Sequence, residues 1–175
     1  MTGHASAEQN SRIRIIEERQ QAGSASYDEL LELSLLALEP QHDGLRAAEL
    51  LAQIDAEYDD ARSRLWLAFT CIYELMDQAA LWKAVNTCER LISSVPDLEL
   101  QAAAWMLKAA ARRHLSAGDD VRNDIEQSIS LAPVWIGNRQ LLAEVLREKG
   151  DRSGAEKQLR QALANVRGDA AGREL

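Results

Sequence analysis

The amino-acid sequence predicts an all-helical protein in which one helix pair is repeated about four times. Apolar residues recur with helical spacing along most of the chain. No segment shows the period-two alternation of strands flanked by hairpin turns. The three prolines, Pro40, Pro96 and Pro133, each follow an apolar stretch of helical period and separate one helix from the next.

The second helix of each predicted pair carries the same apolar stripe. Counting back twelve residues from Pro96 and Pro133 leads to two markers 37 residues apart, and steps of 37 and 34 lead to two more. The markers are Ala47, Ala84, Val121 and Ala155. Positions four and seven residues later lie on the same helical face as each marker. Those positions hold Leu51, Cys88, Ile125 and Leu159, then Ile54, Leu91, Ser128 and Ala162.

The first helices keep the same register. Twelve residues before the four markers stand Leu35, Ile72, Ala109 and Ala143, and sixteen before them stand Leu31, Ala68, Trp105 and Arg139. A register held by two helices over four segments predicts a helix-turn-helix repeat of 34 to 37 residues.

The last of these segments resembles the tetratricopeptide repeat (TPR). Its sequence, "LLAEVLREKGDRSGAEKQLRQAL", has the Leu142-Ala143 pair, the Gly150-Asp151 turn, Ala155, Leu159 and the Ala162-Leu163 pair. The segment "SISLAP" is similar to the end of such a repeat, whereas the first two repeats lack the Gly-Asp turn. The resemblance implies a right-handed α-solenoid of about four TPR-like repeats.

The resemblance covers residues 27–167, with repeats at about 27–60, 61–97, 98–134 and 135–167. Residues 1–26 form an N-terminal segment in which residues 7–21 have helical composition and follow Ser6, a candidate cap. This helix is expected to cap the first repeat, as repeat arrays require, or to be mobile. Residues 168–175 are expected to be a frayed tail.

Composition and charge narrow the classes of partner. The net charge of −8 disfavours nucleic acid and anionic membrane surfaces, and it is compatible with a basic protein partner. Two isolated cysteines indicate a reduced compartment, and no stretch has the length of a signal peptide or a transmembrane helix. The expected location is the cytoplasm.

Motifs for catalysis or for metal and cofactor binding are absent from the sequence. The three histidines are scattered, and Cys71 and Cys88 stand at apolar packing positions. The acidic run from Asp55 to Arg64 lacks the spacing of a calcium loop and is better explained as a helix end, a turn and the start of the next helix. We therefore expect no enzyme, no cofactor and no metal site.

The segment "RLWLAFTCIYELM" carries two apolar faces. Leu65, Ala68, Ile72 and Leu75 form the face assigned to packing. Trp66, Phe69, Tyr73 and Met76, named here the aromatic stripe, form the other face, with Asp77 at its end. In proteins with this repeat, residues at such offsets line the inner surface. The same offsets give Glu29, Glu32 and Leu36, then Ala103, Met106, Ala110 and Arg113, and finally Gln140, Glu144 and Arg147.

The expected function is a non-catalytic interaction module, an adaptor or chaperone that holds a peptide or helix of another protein in its concave groove. The predicted partner-binding residues are Trp66, Phe69, Tyr73, Met76, Asp77, Met106, Arg113 and Arg147. Two alternatives remain: a self-assembling structural protein, such as a homodimer, and an immunity protein or secretion chaperone with one dedicated client. The stripe itself could face a partner, a second copy or the N-terminal helix.

Overall fold

The computed structural model describes residues 7–38, 42–116 and 120–172. Within these ranges all the regular secondary structure is helical. A π-helical turn, Cys71–Leu75, continues the fourth helix. The helices are α1 (Ala7–Gln21), α2 (Tyr27–Leu38), α3 (Gly44–Tyr58), α4 (Ala61–Thr70), α5 (Gln78–Ser94), α6 (Leu98–His114), α7 (Asp120–Leu131), α8 (Ile136–Glu148) and α9 (Arg152–Gly172). The prediction of an all-α fold is confirmed.

The chain forms two compact units, residues 1–80 and residues 81–175. In the first unit α1 packs on α2, α2 on α3, and α3 on α4 with its π-helical turn. In the second unit α6 packs on α7, α7 on α8, and α8 on α9. Each unit is therefore built from helices that pack on their neighbours in the sequence.

The second-helix stripe lies in the core. Its four markers are at most 7% exposed, and the residues seven positions after each marker are at most 4% exposed. At the fourth positions Leu51, Cys88 and Ile125 are fully buried, but Leu159 is 50% exposed. Leu159 lies on α9, the last helix of the described residues, where no following helix covers it.

The first repeat departs from the predicted register. Leu35 and Ile72 are aligned as packing positions, yet Leu35 is 43% exposed while Ile72 is fully buried. The helix starts explain the error: Ser26 and Glu29 cap α2 reciprocally, whereas Asp60 caps α4, so α2 and α4 begin 34 residues apart. A spacing of 34 aligns the buried Leu38 with Ile72 instead.

The acidic run from Asp55 to Arg64 forms the corner between α3 and α4. Asp59 ends α3 in the left-handed conformation, and the Asp60 carboxylate accepts the backbone N–H of Ser63 at 2.6 Å. Arg64 is buried, and its guanidinium donates to Asp55 at 2.5 Å and to Asp59. The run is therefore a capped turn closed by a buried arginine.

The C-terminal helix, α9, runs from Arg152 to Gly172, and residues 173–175 of the expected tail lie outside the described part of the chain. Among the described helices, none is long and apolar enough to cross a membrane.

Candidate protein-interaction surface

The aromatic stripe forms one row along α4 and its π-helical turn. The Trp66 and Phe69 rings are 5.7 Å apart in a T-shaped arrangement, and the Phe69 and Tyr73 rings are 4.7 Å apart and tilted. Both distances lie within the range of favourable aromatic pairs. The three rings and Met76 are 37–54% exposed, although hydrophobic residues of this size usually contribute to a core.

The opposite face of the same helix is buried. Ala68, Cys71 and Ile72 are fully buried, and Leu67 is 4% exposed. Thr70 is also buried, and its hydroxyl donates to the carbonyl of Trp66 at 2.8 Å, so that this polar group needs no partner from outside. The buried face fixes α4 in the core, and the stripe therefore lies on a rigid support.

The π-helical turn sets the end of the stripe. Its closing hydrogen bond runs from the Met76 N–H to the Cys71 carbonyl at 3.1 Å. Met76 has a φ of 55° and lies in the left-handed region. Glycine is the usual residue for this conformation at a helix end, and a side chain with a Cβ is strained there. Met76 thus holds an exposed, flexible thioether at a position that folding alone would assign to glycine.

Two carboxylates lie at the end of the stripe. Asp77 is exposed, and its carboxylate accepts the backbone N–H of Ala80 at 2.8 Å, which caps the start of α5. Glu74 is exposed in the π-helical turn, and its Cβ closely approaches the backbone of Gly44. Five of the eight predicted residues, the stripe and Asp77, therefore lie together in the first unit.

The other three predicted residues lie in the second unit. Met106 is half-buried, and its sulfur lies 3.6 Å from where a Cβ on Gly137 would stand, so it packs against the start of α8. Arg113 donates to Glu144 at 2.6 Å and to Glu148 at 2.5 Å. Hydrogen bonding to Glu148 raises the pKa of Arg113, and the same bond lowers the pKa of Glu148. The charge of Arg113 is therefore already neutralised within the chain.

Arg147 lines a cavity between α8 and α9. The cavity has a volume of about 370 Å³ and is lined by Gln140, Ala143, Glu144, Arg147, Ala155 and Leu159. Three of these residues hold the inner-surface offsets that the sequence predicts for the fourth repeat. Its lining therefore combines three apolar residues with an amide and one charged side chain of each sign.

Sequence reasoning missed two features of the surface. On α9, Leu159, Leu163 and Val166 are 44–51% exposed at spacings of four and three, so they form a second apolar row. That spacing is visible in the sequence, although the family pattern assigns Leu159 to packing. On α2, Leu35 is exposed at the position that the 34-residue spacing aligns with Phe69.

Comparisons with known proteins identify the fold. One crystal structure of MamA matches with a TM-score of 0.73 at 18% identity, covering 97% of this chain and 99% of that chain. A second crystal structure of MamA matches at 0.71 and 20% identity, covering 91% and 83%. MamA from Desulfovibrio magneticus RS-1, from residue 41 to its end, matches at 0.67 and 14% identity, covering 94% and 98%.

MamA is a TPR-like all-helical protein, so this likeness shows that the chain has a TPR-like α-solenoid fold. At these identities the likeness concerns the fold alone. No protein-family profile matches the sequence, and no curated protein sequence matches it either.

Proposed function

We propose that the chain is a protein-interaction module that holds a peptide or helix of another protein through the aromatic stripe. The observation that carries the proposal is the exposure of three neighbouring aromatic rings on a helix whose opposite face is fully buried. Aromatic side chains contribute much of the energy of protein interfaces because they bury a large area with few rotatable bonds. The role is that of an adaptor or chaperone without catalysis.

Charge favours a partner with basic residues. Residues 1–80 contain 6 Arg and Lys residues against 15 Asp and Glu residues, a net charge of −9. Residues 81–175 contain 14 against 13, a net charge of +1. The excess negative charge therefore belongs to the unit that carries the stripe, where it attracts and orients a cationic segment. Such a client fits a cytoplasmic adaptor, a secretion chaperone or an immunity protein.

A self-assembling protein is the second candidate. The apolar row on α9 is a further exposed hydrophobic surface, and such surfaces often mark contacts with other chains. Light scattering separates the two candidates, because a monomer over a wide concentration range supports an open stripe and a concentration-dependent dimer supports self-assembly.

A matched pair of tryptophans tests the proposal. Trp66 is 44% exposed in the stripe, and Trp82 is 47% exposed on α5, outside the stripe. In a pull-down from the native host, we expect Trp66→Ala to lose a partner, identified by mass spectrometry, that both wild type and Trp82→Ala retain. Equal retention by all three chains, or equal loss in both variants, would contradict the proposal.

A stability control distinguishes a binding residue from a core residue. Ile72→Ala removes a fully buried side chain and should cost about 2–5 kcal/mol. Tyr73→Ala, one residue along, should cost roughly half of the 3–5 kcal/mol expected for a fully buried aromatic, because Tyr73 is 47% exposed. Thermal unfolding of both variants measures this difference.

A further inference from the structure

Helix α1 docks on α2 and α3 through one narrow face. Arg12, Ile16 and Arg19 have the spacings of four and three that place them on one side of a helix. Arg12 donates two parallel hydrogen bonds to the carboxylate of Glu32, at 2.6 and 2.8 Å. Arg19 pairs with Glu29 on the same helix, α2. The docking face thus reads arginine, isoleucine, arginine.

The seat for α1 is built from α2 and α3. Glu29 caps the start of α2 by accepting the Ser26 N–H at 2.9 Å. This hydrogen bond is the largest cause that lowers the pKa of Glu29, and the pairing with Arg19 lowers it further. Gln20 of α1 donates to Gln53 of α3 at 3.0 Å. The cap of α2 and the packing of α2 on α3 do not involve α1, so these contacts hold the seat in place without it.

The attachment of α1 is weak. Among the side chains of residues 11–21, Ile16 alone is buried, at 2% exposure, while Ile15 on another face is 46% exposed. The Arg12 side chain is 67% exposed, and ion pairs in water contribute little to stability. A helix of 15 residues is marginal without packing. The connection to α2 also contains Gly23 at a φ of +68°, a point at which the chain turns easily.

The seat is the counterpart of the aromatic stripe on the preceding first helix. The helix caps place α2 and α4 in a register of 34 residues. In that register Glu32 aligns with Trp66 and Leu35 aligns with Phe69. Helix α1 therefore meets the face of α2 that corresponds to the stripe at Glu32, while Leu35 on the same face remains 43% exposed. Residues 27–80, which form the seat and the stripe, hold 3 arginines against 12 acidic residues, whereas residues 7–21 are neutral with 3 against 3.

We propose that α1 is a displaceable occupant of this acidic seat, and that the partner docks there with a helix that presents the same arginine–isoleucine–arginine face. This inference rests on the function proposed above and extends its site from the stripe onto α2. The partner's helix carries two arginines on its docking face, one on each side of an apolar residue, because the seat offers the carboxylates of Glu29 and Glu32 on either side of the contact with Ile16. Release of α1 then regulates access to the acidic part of the surface.

The first test measures the release of α1 in the full-length chain by hydrogen exchange. Ile16→Ser removes the apolar anchor, and we expect exchange of the α1 amides to rise at least tenfold while α2 and α3 keep their protection. Ile15→Ser, which changes an exposed isoleucine of the same helix, is the matched control and should leave exchange near that of wild type. Loss of protection in α2 and α3 together with α1 would identify α1 as an integral part of the unit and overturn the proposal.

The second test offers the seat a defined helix. The probe is a fluorescein-labelled peptide of residues 7–21, "AEQNSRIRIIEERQQ". We expect it to bind full-length Ile16→Ser at least tenfold more tightly than wild type, whose seat is occupied. A peptide carrying Arg12→Glu should lose this binding and regain it on the full-length Ile16→Ser, Glu32→Arg chain. Absence of peptide binding to Ile16→Ser, or failure of the charge exchange to restore it, would overturn the proposal.

Light scattering of the same Ile16→Ser chain completes the test. A monomer supports a foreign helix as the occupant, while a concentration-dependent dimer would identify α1 of a second copy as the occupant and overturn the proposal. None of these measurements changes Trp66 or Tyr73. If the Ile16→Ser measurements overturn the role of α1, the pull-down comparison of Trp66 and Trp82 still tests the proposed function. If that pull-down fails, the exchange and peptide results still test the role of α1.

Discussion

Replacing Arg64 by methionine is expected to destabilise the first unit through the loss of one buried charge. The Arg64 side chain is 7% exposed, and its Asp55 partner is 11% exposed. Methionine keeps most of the length of the side chain, so the change removes the guanidinium and little of the packing. The second partner, Asp59, is 89% exposed, and its share of the loss is small.

The expected magnitude follows from the burial of the pair. Removal of one partner from a buried ion pair costs about 3–5 kcal/mol, since the remaining charge stays out of water without its counter-ion. For a chain of 175 residues, each kcal/mol corresponds to about 2–4 °C in melting temperature. A loss at the lower end of the range therefore predicts a decrease of about 6–12 °C.

Urea unfolding followed by circular dichroism measures this effect. The matched control is Arg62→Met, because Arg62 is exposed on the same turn of α4 and its replacement should change stability by about 0.5 kcal/mol or less. Adding Asp55→Leu to Arg64→Met should recover much of the loss, since it removes the buried carboxylate as well. Equal effects of Arg64→Met and Arg62→Met would refute the reasoning.

Four other substitutions have expected outcomes that thermal unfolding can check. Gly44→Ala should destabilise the chain by about 1–3 kcal/mol because its Cβ would lie 2.6 Å from the Cβ of Glu74, whereas Gly137→Ala, with its nearest neighbour at 3.6 Å, should be neutral or stabilise by up to about 1 kcal/mol. Met76→Gly relieves a left-handed backbone and should keep or raise the melting temperature by a few degrees while weakening partner capture; a large loss of stability would contradict this account. Burial raises the pKa of Asp124 in the folded chain above its ordinary value, despite the neighbouring cations Lys108 and Arg112. The folded chain therefore holds this proton more tightly than the unfolded chain does, and the resulting stabilisation is complete below the unfolded pKa and is lost as the pH rises through the folded pKa. Asp124→Asn should therefore gain stability relative to wild type as the pH rises from acidic to neutral, and an unchanged difference across that range would rule this out.

The sequence predicts the second helices well because their signal is local. Offsets of 0, 4 and 7 describe one face of a single helix, and no knowledge of neighbouring helices is needed to expect that Ala47, Leu51 and Ile54 are buried together. The first helices depend on where each begins. The reciprocal cap of Ser26 and Glu29 shortens the spacing to α4 by three residues, which moves Leu35 to the surface and Leu38 into the core.

The ion pairs could not be predicted from the sequence because the two residues of each pair are far apart along the chain. Arg113 reaches Glu144 and Glu148 on another helix, 31 and 35 residues away, so its assignment as a partner-binding cation could not account for this competition. Arg12 likewise finds Glu32 across a loop, 20 residues along. Spacing along one helix reveals which residues share a face, but it does not reveal which helix that face will meet.

The aromatic stripe is the place where the chain departs most from the local rules that stabilise helices. Trp66, Phe69 and Tyr73 leave aromatic surface in water, the helix changes to a π-turn at Cys71, and Met76 adopts a conformation suited to glycine. Each departure costs stability, and none of them is needed to bury Ala68 or Ile72 on the opposite face. Natural sequences tolerate such conflicts mainly at functional sites, where another requirement outweighs stability. The exposed rings and the π-helical turn with its left-handed cap Met76 fall within eleven residues, and the binding role proposed above would account for both together.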